Sequence, residues 1–316
     1  MAQELLNLAD LDRSAVPLDL RAETYFDFAG HPFTHRALFD QTSSVCGAIL
    51  AIDRYAARWL EDKIALKRST ARVLTNKTPN AAYTLGSFEV ILEEGTVFDP
   101  ARVVGSGPSG TTHSIFLERG AQVIGSDIYL SGGSVYLGAG TTVEPGAGIK
   151  GPTIVGKNTE IRQGAYLRGD CILGSGCTIR GEIKNTVIMD RANFPHPSYV
   201  GDSTCGYMTH FGNQATAANL GIYEGLREAG ERSSIKLTCG GKTYDIGNSK
   251  MGVCMGDFSQ VGCSSVADPG TFFKPYTVSY SLTRIKKGFY GPREVLKNKP
   301  LEHGIIERAP LAWPEA

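Results

Sequence analysis

The sequence predicts an all-β solenoid of parallel strands with a triangular cross-section, and three observations predict it. Leu137, Val143, Ile149, Val155, Ile161, Leu167, Leu173 and Ile179 are all aliphatic and all spaced by six. Four residues after each of the first seven stands a small residue: Thr141, Ala147, Thr153, Thr159, Ala165, Cys171 and Cys177. Glycines recur at eighteen, as Gly138, Gly156 and Gly174, as Gly146 and Gly164, and as Gly151 and Gly169. If aliphatics fill about one position in five, eight in phase arise by chance roughly once in a few hundred thousand trials, so the pattern is a repeat. A period of six suits neither an isolated helix nor an alternating strand. It suits a flat side with one inward aliphatic and a tight corner. Three sides make a coil of eighteen, and coils stack at about 4.8 Å, each burying its neighbour's edge.

This beat resembles the hexapeptide-repeat, left-handed parallel β-helix family. The resemblance alone implies the left hand, because general sheet rules favour right-handed crossovers. Taken in order, residues 1–85 carry no hexad. Within them residues 37–63 read as helical, with Leu38, Val45, Ala48, Ile49, Ile52, Tyr55, Ala56 and Leu60 at helical spacing. This predicts an N-terminal, mainly helical cap, which either covers the open strand edge at the solenoid's end or serves a substrate or partner. The hexad starts weakly at Ile91, Val97 and Val103, pauses in the glycine-rich stretch 105–110, and resumes at Leu117 and Val123. After Ile179 its phase slips, then returns at Ile188, Phe194 and Val200, and again at Cys205 and Phe211. Residues 220–252 break it, and there 235–237 and 243–246 flank a hairpin turn at Gly240-Gly241. The beat returns at Met255, Val261, Ala267 and Phe273, with Ser259, Ser265, Thr271 and Thr277 at the small position. After about Ser281 the tail is irregular and rich in charge and proline; it either wraps a neighbour or closes the last coil. The expected organisation is a cap at 1–85, a β-helix at 86–280 with a hairpin insert at 220–252, and a tail at 281–316.

The chain has 316 residues, enough for a sizeable core. Thirty-two basic residues balance thirty-two acidic ones, so no nucleic-acid or anionic-membrane partner is expected. Early Glu4, Asp10 and Asp12 are unlike a secretory signal, and no apolar run reaches the length of a membrane span. A cytoplasmic protein is expected. Seven cysteines include no C-x-x-C pair; Cys171 and Cys177 sit on the small-residue beat and read as core fillers rather than disulfide partners.

Two signals mislead. Gly105-Ser106-Gly107-Pro108-Ser109-Gly110 matches G-x-G-x-x-G, but a dinucleotide turn must open a helix and none follows, so it reads as a loop. His113, His196 and His210 invite comparison with zinc enzymes on hexapeptide-repeat scaffolds, yet they lack the close histidine pair such a site shows. No metal is expected.

Chemistry is expected where the beat slips. Ile161-Arg162-Gln163-Gly164-Ala165, Glu182-Ile183-Lys184-Asn185, then His196-Pro197-Ser198-Tyr199-Val200-Gly201-Asp202-Ser203, Phe211-Gly212 and Asn219 follow in order. This ordered set resembles the acetyltransferase half of the bifunctional enzymes that make UDP-N-acetylglucosamine, over roughly residues 86–280. Tyr244-Asp245-Ile246-Gly247 followed by Lys250-Met251-Gly252 is similar to the archaeal-type members. The sequence departs from the family at Pro195 and Pro197, at His210 where asparagine is usual, and at Cys263 where serine is usual. The residues ahead of the solenoid are too few for a nucleotide-transfer domain, so uridylyl transfer is not expected of this stretch.

The resemblance implies acetyl transfer from acetyl-CoA to the amino group of glucosamine 1-phosphate, without a metal, in a homotrimer. Each matched residue type suits that chemistry. The amine must be neutral to attack a thioester, and His196 is the expected general base. Arg162 and Lys184 would hold the phosphate, one as a planar fork and one as a point charge. Tyr199, Asn219 and His210 would contact the sugar. CoA in the family runs along the solenoid beside the positions of Asn213 and Cys263. Two other readings stay open: acyl transfer to another sugar or nucleotide sugar, and a non-catalytic solenoid that binds a sugar nucleotide.

Overall fold

The computed structural model describes residues 5–75, 83–105, 112–298 and 306–310. The segment 106–111, which holds most of the G-x-G-x-x-G match, lies outside the described residues. The chain folds as two compact units, Ile52–Pro197 on the one hand and Met1–Ala51 with Ser198–Ala316 on the other. Each contains a parallel β-solenoid with three faces.

In the unit Ile52–Pro197 one face stacks Phe88–Leu92, His113–Leu117, Val135–Leu137, Thr153–Val155 and Cys171–Leu173. A second stacks Val97–Asp99, Gln122–Ile124, Thr142–Val143, Glu160–Ile161, Thr178–Ile179 and Asn193–Phe194. The third stacks Tyr83–Leu85, Arg102–Val104, Asp127–Tyr129, Gly148–Lys150 and Tyr166–Leu167. The coil of eighteen is seen directly: Val135 pairs with Thr153, Thr153 with Cys171, Thr142 with Glu160 and Glu160 with Thr178. All eight aliphatics of the unbroken beat and all seven small residues are buried. Full burial of such an aliphatic stabilises by about 1.5–3 kcal/mol.

The small position has a second cause beyond size. Thr141 Oγ1 donates to the Gly156 carbonyl at 2.7 Å and Thr159 Oγ1 to the Gly174 carbonyl at 2.8 Å, so the hydroxyls satisfy corner carbonyls of the next coil. Gly138, Gly156 and Gly174 form a column of backbone on backbone; a Cβ at Gly156 would lie 2.5 Å from the Gly174 carbonyl carbon. At its start the hexad differs from expectation. Val97 is 41% exposed and Phe98 6%, so the larger side chain takes the interior and the inward position moves by one.

The phase slip after Ile179 is a shortened coil. Tyr166 pairs with Glu182, but Cys171 pairs with Thr186 and Thr178 with Asn193, a step of fifteen. The single strand Glu182–Ile188 runs across what is elsewhere a corner, with Asn185 at φ 45° making the bend.

The helix expected over residues 37–63 is three helices: Ala37–Asp40, Val45–Leu50 and Ile52–Lys67. The last does not cap the end of the solenoid. It buries Ile52, Ala56, Leu60 and Ile64 against Thr153–Val155, Cys171–Leu173 and Glu182–Ile188, along its flank. Trp59 meets Tyr136 edge-on at 5.0 Å, and Lys67 pairs with Glu93 at 2.8 Å. A strand protects the first coil instead: Arg72–Thr75 pairs antiparallel with Phe88–Leu92, ending the run of parallel edges.

In the other unit Tyr199–Val200, Thr216–Ala217, Val266–Ala267 and Arg284–Ile285 form one face. Val253–Met255, Thr271–Phe273 and Gly288–Tyr290 lie on a second, and His210–Phe211, Gln260–Val261, Val278–Ser279 and Glu294–Asn298 on the third. His210 pairs with Gln260 and Thr216 with Val266, so residues 220–252 are looped out of a coil. The hairpin stands as expected: Lys236–Cys239 pairs with Lys242–Asp245, Cys239 opposite Lys242. Gly240 and Gly241 have φ 57° and 78°, the sign a two-residue turn needs at both positions. Leu5–Asn7 adds a parallel strand to its second arm. Past Ser281 the chain closes a further coil: Ile285 and Leu296 are buried and Ile306–Pro310 covers Glu294–Asn298 antiparallel. Among the described residues, no helix is long and apolar enough to cross a membrane.

Candidate functional site

In the unit Ile52–Pro197 the strand Glu160–Ile161 turns Ile161 inward and leaves Arg162 on the outside just beyond it. Arg162 Nε and Nη2 both reach Glu160 Oε2, at 3.0 and 2.9 Å. Residues two apart on a strand share a face, so this pairing has a signal in the sequence that was not read. Lys184 stands half-buried on Glu182–Ile188, on an adjacent face. Its neighbour in register is Arg168, whose N–H donates to the Ile183 carbonyl at 2.8 Å and whose guanidinium pairs with Glu182 at 2.5 Å. His196 is exposed in the bend that ends this unit.

The other unit gathers the rest of the motif. Gly201 is the pivot: a Cβ there would lie 2.5 Å from Tyr199 Oη and 2.9 Å from Asn219 Nδ2, so only glycine lets phenol and amide close over the backbone. Asp202, at φ 50° and 2% exposed, accepts a hydrogen bond from Asn219 Nδ2 through Oδ2. Its carbonyl takes the Gly252 N–H at 2.8 Å, and the Asn219 carbonyl takes the Met251 N–H at 2.9 Å. Ser203 Oγ bridges the Gly201 carbonyl at 2.8 Å and the Val253 N–H at 3.0 Å. Tyr199 Oη and Asn219 Nδ2 thus both lie beside Gly201. The sequence reading missed Asp202, which stood in the quoted motif without a role; a buried carboxylate must be hydrogen-bonded, and here it orients the amide beside it. Such a cluster offers a phenol, an oriented carboxamide and backbone groups to the hydroxyls of a sugar.

Asn213 and Cys263 occupy one corner of successive coils. The Asn213 carbonyl accepts from the Ser264 N–H at 2.8 Å, and a Cβ at Gly212 would lie 2.6 Å from the Cys263 nitrogen. Both side chains are exposed. His210 lies half-buried at the start of the strand leading to this corner. The six other cysteines are buried. Burial pushes the Cys171 and Cys177 thiols up to about 12, so these are packing groups, as expected. Among the described residues no three His, Cys, Asp or Glu side chains are grouped to hold a metal ion. His113 is half-buried, and burial lowers its pKa.

Comparison with known proteins identifies similarity to a sugar-phosphate enzyme. Over 99 residues, 31% of this chain, the sequence is 31% identical to a bifunctional sugar-1-phosphate nucleotidylyltransferase/acetyltransferase of Sulfurisphaera tokodaii. The match spans 23% of that protein's length. Among solved structures, the polySia-specific acetyltransferase NeuO is 11% identical with a TM-score of 0.25, covering 74% of this chain and 90% of its own. No family model matches the sequence.

Proposed function

We propose that this protein is an acetyl-CoA-dependent acetyltransferase whose acceptor is the amino group of a sugar phosphate, glucosamine 1-phosphate in the first instance. The observation that carries the reading is the Tyr199–Asp202–Asn219 cluster around Gly201, in which residues of the ordered motif meet as polar neighbours. The partial likeness to a protein named as a sugar-1-phosphate nucleotidylyltransferase/acetyltransferase supports the same chemistry.

In this reading His196 takes the proton of the acceptor ammonium, leaving a neutral amine to attack the thioester carbonyl. Tyr199 and Asn219 hold the sugar hydroxyls, with Asp202 fixing the amide, and His210 adds a polar contact. Lys184 and Arg162 supply positive charge for the phosphate. The Glu160 carboxylate already engages Arg162, so a phosphate bound there competes with that ion pair. Asn213 and Cys263 mark the path of CoA, the developing oxyanion meets a backbone N–H at a coil corner, and the working form is a cytoplasmic homotrimer.

The test is CoA release from acetyl-CoA against a panel of amino sugars and their 1-phosphates. Turnover with glucosamine 1-phosphate is expected, and His196→Ala should lower kcat by roughly 100-fold or more with the fold intact. Turnover only with another sugar or nucleotide sugar would move the acceptor assignment. Turnover with none would favour a sugar-nucleotide-binding scaffold.

A further inference from the structure

A row of aromatic rings in the unit of Met1–Ala51 and Ser198–Ala316 has no part in the interior of the solenoid. One corner of each coil takes a residue in the left-handed region. In the unit Ile52–Pro197 this corner uses Gly140, Asn158, Gly176 and Arg191. In the other unit it uses Met208, Phe258, Tyr276 and Arg293, at φ 52°, 62°, 62° and 57°. Bulky side chains at positive φ are outliers that need a compensating cause. Core burial is not that cause: Met255, Val261 and Phe273 fill the interior, while Phe258 and Tyr276 project outward and stay half-buried.

The corners are locked in line. Phe258 N donates to the Tyr207 carbonyl at 2.8 Å, Tyr276 N to the Asp257 carbonyl at 2.9 Å and Arg293 N to the Pro275 carbonyl at 3.1 Å. Phe258 and Tyr276 therefore stack at 4.8 Å and 6°, and the Arg293 guanidinium lies 4.6 Å over Tyr276. From the N-terminal segment His31 stacks on Tyr207 at 4.0 Å, and both meet Phe258 edge-on. Asp257 staples the segment in place, accepting Asp27 N–H at 2.7 Å and Tyr207 N–H at 2.8 Å.

Between segment and corner lies a cavity of about 560 Å³, within the range of small-molecule sites. Phe26, Phe28, Phe258 and Tyr276 supply its aromatic walls. Its carboxylate and basic groups are Glu23, Asp27 and Asp257 with His31 and Arg36; Glu23 pairs with Arg13 at 2.9 Å and Arg36 with Asp40 at 3.2 Å, which leaves Asp27 and Asp257 as the carboxylates that disfavour a phosphate. Asp27 is exposed, and its Oδ1 takes Gly30 N–H at 2.9 Å and Ala29 N–H at 3.1 Å, bonds that hold the carboxyl below its usual range. The protein's own cations already seat on rings of this cluster, Arg293 on Tyr276 and Arg36 over Phe28 at 5.5 Å, as ring faces attract cations.

We propose that this cavity binds a small organic cation, a protonated or quaternary amine with apolar surface. The proposal does not depend on the acetyl-transfer reading. Asparagine enters the left-handed region readily, so Phe258→Asn and Tyr276→Asn remove the rings while relieving the backbone. Titration calorimetry with choline, and with its uncharged carbon isostere, provides the readout. Saturable choline binding is expected, with no binding of the isostere. Each asparagine variant should lose choline affinity about tenfold or more while keeping or raising Tm, and Asp27→Asn should weaken choline by a similar factor. Absence of choline binding, equal binding of the isostere, or asparagine variants that bind choline unchanged would each overturn the proposal. So would saturable binding of a nucleoside monophosphate in place of choline.

Discussion

Asp202 shows how a single residue reconciles burial with polarity. Its carboxylate is 2% exposed and survives because Asn219 donates to it, and a hydrogen bond to a charged group is worth about 1.5–3 kcal/mol. Asp202→Asn is therefore expected to lower kcat/KM for the proposed acetyl transfer by roughly 10–100-fold, read by steady-state kinetics with circular dichroism as a check on folding. Wild-type kinetics in that variant would detach the cluster from catalysis. His113 makes a prediction of another kind. Burial lowers its pKa below the ordinary 6.5, so as pH falls through that value the unfolded chain takes up the proton first and stability is lost. Urea midpoints at about pH 7.5 and about pH 5.5 should differ less in His113→Asn than in the wild type; an equal difference would exclude His113 as the source. Tyr199 and Asn219 were legible as members of one motif because their order in the chain displays it. Asp202 was not, because its value lies in burial, which no local pattern displays.

At the scale of elements, the glycine column and the hairpin turn test different constraints. Gly156→Ala puts a methyl group 2.5 Å from the Gly174 backbone, and coils joined by ladder bonds cannot separate cheaply; a loss of about 1–3 kcal/mol or more is expected by urea denaturation. Gly240→Ala meets open space but keeps φ at 57°, so its cost is conformational and about 1 kcal/mol. A Gly156→Ala chain as stable as the wild type would mean the column is not close-packed. The hairpin and the coils were readable because turn chemistry and a six-residue period are local rules. The helix Ile52–Lys67 was readable as a helix, but not as a brace along the flank. Its apolar stripe states that something must cover it, not what.

For the whole molecule, the proposed trimer predicts a particle of three 33.9 kDa chains in sedimentation equilibrium; a monomer would confine any active site to one chain. The sequence by itself determined the three-sided coil, its length of eighteen and the inward side chains of the unbroken beat from Leu137 to Ile179. Burying one aliphatic per face is a rule that acts residue by residue along the chain. It also marked the slip after Ile179, since a missing beat is as visible as a present one. Tertiary structure decided what meets across the coils. Asn219 closes on Asp202 from 17 residues away, Asp257 holds Asp27 across 230, and Phe98 rather than Val97 turns inward. Those outcomes depend on competition for space and hydrogen bonds among residues distant in sequence, and such competition is resolved only when the coils are stacked.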